Sequence, residues 1–298
     1  IEGHYVIRPD ELKENRYGVI PLGRRRLQFL KETLEDLAGS LKALDIPLYV
    51  HVGHPLDVLD PNDRLVFQSS IGFNERRIER DVKSAWRGEW QVFDGFTLYP
   101  RDEIPFERMP FLFTEFRKKI ESDAAPNRLI ERAYTEATSP VDFPIDHGPV
   151  ETDKRSAFPF QGGERAGRER LAHYLNGPVR TYKETRNGFG VDDSSKLSAY
   201  LANGSLSPRR VLHELERHEA SHGANESTYW LYFELLWREF FQWLALEQGK
   251  RLFRAQGIRS KEKSWRVEED VITRWQRGET GVDFVDSFMR ELNATGWM

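Results

Sequence analysis

Residues 226–249 read ESTYWLYFELLWREFFQWLALEQG, and the rest of the chain is organised around them. At 3.6 residues per turn, Trp230, Glu234, Trp237 and Phe241 share one face, at i, i+4, i+7 and i+11. Arg238 stands four residues after Glu234, a spacing at which helix-surface ion pairs form. Leu231, Leu235, Leu244 and Leu246 supply apolar contacts on other sides, so little of this helix can face water. A carboxylate and a guanidinium inside an aromatic stripe need an explanation, because burying a charge costs several kcal/mol unless it is paired or meets a ligand. Either a Glu234–Arg238 pair satisfies itself within a core helix, or the stripe is a pocket wall that stacks on flat groups and bonds their edges.

The 298 residues suggest two domains, and with 39% hydrophobic and 31% charged residues the chain reads as a soluble globular protein. It has no run of 18 apolar residues, and its opening IEGHYVIRPDELK has no signal-peptide core. The absence of Cys excludes disulfides, thiolate-bound metal, iron–sulfur clusters and thiol catalysis, and a cytoplasmic enzyme is the expectation. A net charge of −4 argues against indiscriminate coating of nucleic acid but not against local recognition of a strand. Six of the eight Trp follow residue 200, so the C-terminal half carries most of the large aromatic surface.

Before that half, helix and strand signals alternate. Leu27, Leu30, Leu34, Leu37, Leu41 and Leu44 mark an amphipathic helix, followed by strand-like Ile46–Val52 and Arg64–Gln68. A charged helix over Asn74–Trp86, a strand over Trp90–Phe93 and a helix over Phe111–Ser122 come next. This rhythm implies an α/β domain over 1–137 with a mostly parallel sheet, whose usual buried first strand is missing from the opening. Residues 138–160, with Pro140, Pro144, Pro149 and Pro159 and no apolar period, read as a linker. From 161 to 298 an all-α domain is expected, with helices over Glu164–Leu175, Ser207–Ser221, Glu226–Gly249, Val267–Arg277 and Val282–Leu292. Ser207-Pro208 is a favoured helix start, with an N-cap serine and proline in the first turn.

Hydrolytic and metal motifs are absent: there is no HExxH, no GxSxG and no GxxxxGK[ST], and no metal site is expected. His213, His218 and His222 read as one solvated face, and Glu32–Asp36 as ordinary exposed helix surface. Residues 181–208, TYKETRNGFGVDDSSKLSAYLANGSLSP, hold a hydroxyl cluster with one cation: Ser194, Ser195, Lys196 and Ser198. Small hydroxyls and backbone N–H groups entering a helix suit a phosphate or pyrophosphate, although a serine-rich loop with a capped helix start reads the same way.

Taken together, TYKETRN, SSKLS, NGSLSPR, NESTYWLYFELLWREFF, RWQRGETGVDFVDSFMREL and the final NATGWM resemble the photolyase/cryptochrome family, most of all its DASH-type members. The resemblance is dense from Tyr182 onward and extends to Phe73-Asn74-Glu75-Arg76 in the first domain. It implies an FAD-dependent deoxyribodipyrimidine photo-lyase that splits cyclobutane pyrimidine dimers in damaged DNA under blue light, with a single-strand preference, as a monomer without membrane attachment. By the same resemblance Tyr182, Ser194, Ser195, Lys196, Leu197, Ser198 and Arg238 hold FAD. Glu234 and Trp237 meet the flipped dimer, Arg186 meets a DNA phosphate, and Trp265 is an outer electron-transfer tryptophan. Asn74 and Glu75 mark an antenna site for a folate such as methenyltetrahydrofolate.

Elementary chemistry accords with these roles. A flipped base needs an aromatic face and an edge partner, and a flavin that injects electrons needs no protein nucleophile. Ala199 departs from the proline usual after the SxLS serine, and the family's segments beyond NATGWM, with an Asp-rich flavin site and inner tryptophans, have no counterpart in the 298 residues. Helices such as Val282–Leu292 are then expected to expose apolar faces. Two other readings stand beside repair: a photosensor that binds FAD and nucleic acid without repairing, and a degenerate fragment without flavin.

Overall fold

The computed structural model describes residues 1–130, 137–151, 153–262, 264 and 266–297. Its strands pair in parallel, as a helix–strand alternation requires. β1 (Gly3–Ile7) lies beside β2 (Leu48–Val52), with α1 (Arg24–Lys42) as the crossover. After the single turn α2 (Pro55–Val58), β3 (Leu65–Gln68) pairs with β4 (Trp90–Phe93) around α3 (Phe73–Ala85). Among the described residues the two pairs form separate two-stranded ladders. β1 had no strand expectation, because five residues, GHYVI, are too few for a period to stand out.

The leucine repeat puts Leu30 and Leu34 of α1 against Ile7 of β1. Residues 138–160, expected as a linker, also pack here: Ser139 N–H donates to the Glu35 carbonyl at 3.0 Å, and Val141, Phe143 and Ile145 cover the Ile7–Leu30–Leu34 cluster.

The remainder is helical: α4 (Phe113–Asp123), α5 (Glu164–Leu175), α6 (Tyr182–Thr185), α7 (Ser198–Asn203), α8 (Pro208–His222), α9 (Glu226–Gln248), α10 (Glu269–Arg277) and α11 (Asp283–Thr295). α8 starts as read, with the Ser207 hydroxyl accepting from Arg209 N–H. α9 begins in a capping box, Asn225 Oδ1 accepting from Thr228 N–H at 2.8 Å and Thr228 Oγ1 from Asn225 N–H at 3.0 Å, and it stops at Gly249, whose φ is +51°. Leu231, Leu235, Leu236 and Phe240 of α9 form the main core with Leu171 and Tyr174 of α5 and Val211 and Leu215 of α8. The same core takes in Leu98, Tyr99 and, from α4, Phe113, Phe116 and Ile120, so packing ties residues 98–120 to the helical half.

Residues 94–99 form a strap across the junction, and charged side chains of α8 and α9 satisfy its backbone. Arg209 donates to the Asp94 and Thr97 carbonyls at 2.8 and 3.1 Å, Arg238 to the Phe96 carbonyl at 2.7 Å, and the Glu239 carboxylate accepts from Leu98 N–H at 2.6 Å.

Two surface readings are corrected. Glu32–Asp36 is not ordinary exposed surface: Asp36 is buried, its Oδ2 accepts from Glu164 and Arg165 N–H at 2.7 and 3.2 Å, and Glu32 accepts from Gly162 N–H at 2.7 Å. A carboxylate from α1 thus caps α5, where the helix dipole and free N–H groups favour an anion. Contact is close enough that a Cβ on Gly162 would collide with the Phe29 carbonyl, and Gly163 takes φ +109°. Nor is the histidine face of α8 fully solvated: His218 is buried and stacked on His222 at 4.6 Å. Apolar exposure at the C-terminal helices is as read, with Val282 and Phe284 at α11 and Trp275 on α10 facing solvent. No helix of the described residues is long and apolar enough to cross a membrane.

Removing the inter-helix cap tests its energetic weight. Asp36→Ala should destabilise the chain by about 1–2 kcal/mol in urea denaturation, the range for loss of an N-cap carboxylate. A change below ~0.5 kcal/mol, the scale of an inert surface substitution, would make Asp36 incidental.

Candidate functional site

A cavity of about 460 Å³ lies between α6, α7, α9 and the loop leading into α7. Tyr182, Ser194, Ser195, Lys196, Leu197, Ser198 and Arg238, chosen from sequence, all line it, and so does Glu234. These residues come from three separate segments of the chain, and the fold brings them to one wall.

The loop is shaped from behind by Arg170 of α5. Its guanidinium, 4% exposed, donates to the carbonyls of Val191, Ser194 and Ser195 at 3.0, 3.0 and 2.9 Å and pairs with Asp192. That hydrogen bond draws the Asp192 carboxyl below its usual range. In a planar trans peptide the N–H points opposite the preceding carbonyl. With the Ser194 and Ser195 carbonyls on Arg170, the N–H groups of Ser195 and Lys196 turn away from it. Lys196 then takes φ +56°, a left-handed setting that side chains adopt only under constraint. Consecutive N–H groups at a switch to left-handed backbone form a concavity suited to anions.

The side chains fit such a ligand. Burial lowers the Lys196 ammonium pKa, and among the described residues no carboxylate lies within ion-pair distance of it. Gln242 Oε1, at the cavity wall, is buried without a hydrogen-bond partner. Burial pushes the Tyr182 phenol up to about 12, so the ring is neutral. Arg238 lines the cavity while donating to the Phe96 and Leu201 carbonyls at 2.7 and 3.2 Å.

The Glu234–Arg238 pair expected from spacing does not form, because both partners find others across tertiary contacts. Arg238 meets those two carbonyls, whereas Glu234 pairs with Arg186, which lies over the Trp230 ring at 4.3 Å. Burial raises the Glu234 carboxyl above its ordinary value, and Arg186 opposes this. The stripe on α9 therefore divides along its length. Trp230 and Glu234 meet Arg186, but Trp237 is not on the cavity wall; its ring stacks on Phe113 of α4, centroids 3.6 Å apart. Asn74 and Glu75 are exposed on the first turn of α3, beside Arg76, which donates to the Leu246 carbonyl of α9 at 3.0 Å. Trp265 lies outside the described residues.

Four contributors escaped the sequence reading: Arg170, Gln242, Trp297 and Glu239. Trp297 lines the cavity, stacked on Phe158 at 4.3 Å, and belongs to the quoted NATGWM. The signal for Arg170 was an arginine on the same helical face as Gly167 and Tyr174. Glu239, next to Arg238, is 1% exposed, and burial pushes it up to about 7 against the opposing bond from Leu98.

Comparison with known proteins agrees with the geometry. A family model described as DNA photolyase matches residues 3–137, and one described as the FAD binding domain of DNA photolyase matches 230–298. The cryptochrome DASH of Natronomonas pharaonis is 38% identical over 99% of this chain and 67% of its own length. The chain belongs to the photolyase/cryptochrome family. Within the family it is similar to the cryptochrome DASH of Danio rerio, at 36% identity over 95% of this chain and 59% of that protein. Its fold matches the solved Synechocystis cryptochrome with TM-score 0.88 and 35% identity, covering 99% of this chain and 66% of that one. A class III photolyase from Agrobacterium tumefaciens, 22% identical, shares the fold with TM-score 0.81, over 99% of this chain and 64% of that one. The chain spans about three-fifths of the length of the first curated relatives it matches, 59% and 58%.

Glu239 yields a pH dependence. Its folded pKa near 7 exceeds the ordinary 4.5, so the stability gained by burying the neutral acid is present below 4.5 and lost as pH rises through 7. The full loss is at most about 3 kcal/mol. Urea denaturation at pH 5 and pH 8 should show stability falling less in Glu239→Gln than in the parent; equal falls would place the Glu239 carboxyl at its ordinary pKa.

Proposed function

We propose that the chain binds FAD in this cavity and repairs cyclobutane pyrimidine dimers under blue light, as a DASH-type deoxyribodipyrimidine photo-lyase acting on single-stranded DNA. The observation that carries the reading is the convergence of Tyr182, the 194–198 loop, Arg238 and Glu234 on one cavity. Lys196, the loop N–H groups and the Ser195 and Ser198 hydroxyls would hold the FAD phosphates. Arg238, restrained by two carbonyls, keeps its cation at the wall. Excited reduced FAD would supply the electron that opens the dimer and take it back afterwards.

The protein's other task is to place the damaged base. Glu234 offers a carboxyl at the cavity as the edge partner a flipped base needs. Arg186 would take a DNA phosphate, for which its planar fork is suited. Trp237 can receive a base on the face now occupied only if Phe113 leaves it. That stacking favours the photosensor as a second reading, since a sensor needs no free ring there. The folate antenna beside Asn74 and Glu75 is part of the proposal through the family resemblance.

Absorption of the purified chain after incubation with FAD tests the reading. A blue flavin band that persists through gel filtration is expected, and its absence leaves the degenerate reading. Ser195→Ala and Ser198→Ala should each weaken FAD binding by roughly 10-fold or more, the scale of one hydrogen bond to a charged group. For the loaded protein, Trp237→Ala should weaken dimer-containing DNA by roughly 5- to 150-fold and undamaged DNA hardly at all. Equal weakening of both strands would make Trp237 a core residue and favour sensing.

A further inference from the structure

Arg170 does more than fill a core position. It is nearly fully buried, does not line the cavity, and spends its donors on one strand of loop: the carbonyls of Val191, Ser194 and Ser195, and the Asp192 carboxylate. Phe160 and Tyr174 hold its guanidinium between them at 4.9 and 5.2 Å. A buried cation could have been satisfied by one carboxylate; this one also takes three backbone carbonyls of a single loop. The geometric result is that two N–H groups face away from it and Lys196 is held at positive φ. We propose that Arg170 is a positioning residue for pyrophosphate: by fixing the carbonyls on one side of the 191–196 loop it presents the N–H groups and Lys196 on the other as a preformed diphosphate cradle. The ligand is the FAD of the reading above, on which the inference rests for the cofactor but not for the diphosphate chemistry.

Preorganisation is the physical content. An unheld loop would have to bring N–H groups and Lys196 into register on binding and lose conformational freedom as it did so. Asp192 is the outer end of the same device. It is about half exposed, binds Arg170, and lies 3.2 Å from His173 Nε2, so its replacement relaxes the loop without opening the core.

The test compares the full chain with Arg170→Met and Asp192→Asn, using FAD, riboflavin and inorganic pyrophosphate as probes. Flavin affinity is read by fluorescence quenching, and pyrophosphate by the shift in melting temperature. We expect Arg170→Met to weaken FAD roughly 10-fold or more, and Asp192→Asn to weaken it less, with riboflavin affected less than twofold in both. Pyrophosphate should raise the melting temperature of the parent and not that of Arg170→Met. Unchanged FAD affinity in folded variants overturns the inference, as does equal loss of riboflavin and FAD, which would mean general damage to the pocket. If Arg170→Met does not fold, Asp192→Asn decides by the same criteria. A parent that ignores FAD but is stabilised by pyrophosphate, with the effect lost in the variants, removes the flavin reading and keeps the cradle; a parent that responds to neither removes both.

Discussion

The carboxylate of Glu239 against the N–H of Leu98 sits where the α/β half meets the helical half, and the strap it holds has no ladder or helix of its own. Backbone groups buried in that state must find side-chain partners or forfeit their bonds to water. Arg209 supplies them from α8 and Arg238 and Glu239 from α9, and so both helices are held against the α/β half along one short strap. The site inherits this geometry. Arg238 reaches the cavity from one end of the strap, and the neighbouring wall depends on α5, whose start is capped by Asp36.

Long periodic segments were readable. α3, α4, α5, α8, α9, α10 and α11 follow the apolar spacing to within about three residues, and α1 carries the leucine repeat, since a repeated face records itself in sequence. α6 and α7, four and six residues long, are too short to register a period. Tyr182, the 194–198 loop, Glu234 and Arg238 were also legible, because TYKETRN, SSKLS and the α9 helix are dense enough to carry a family resemblance, whereas Gln242 and Trp297 of the same wall were not.

Partner choice was not. Spacing offered Glu234 to Arg238 at four residues, yet Arg186 arrives from 48 positions away and Arg238 turns to carbonyls. Ion pairs at i,i+4 contribute only a few tenths of a kcal/mol, so a buried carbonyl or a better-placed guanidinium overrides them. Asp36 was misread for the same reason: its acceptor role belongs to a helix that starts 128 residues later. The stacking of Trp237 on Phe113 depends equally on where α4 docks, which no local pattern encodes.

The core shared between residues 98–120 and α9 has a consequence for synthesis. Leu98, Phe113, Phe116 and Ile120 leave the ribosome long before the surface that buries them, because α9 ends about 125 residues after α4. At the usual 5–20 residues per second this is an interval of roughly 6–25 s. During it the strap lacks its arginines and α4 its neighbour, so the nascent chain displays an aromatic face with nothing to cover it. A chaperone that holds the chain through this window guards the step on which the cavity depends, the arrival of α9.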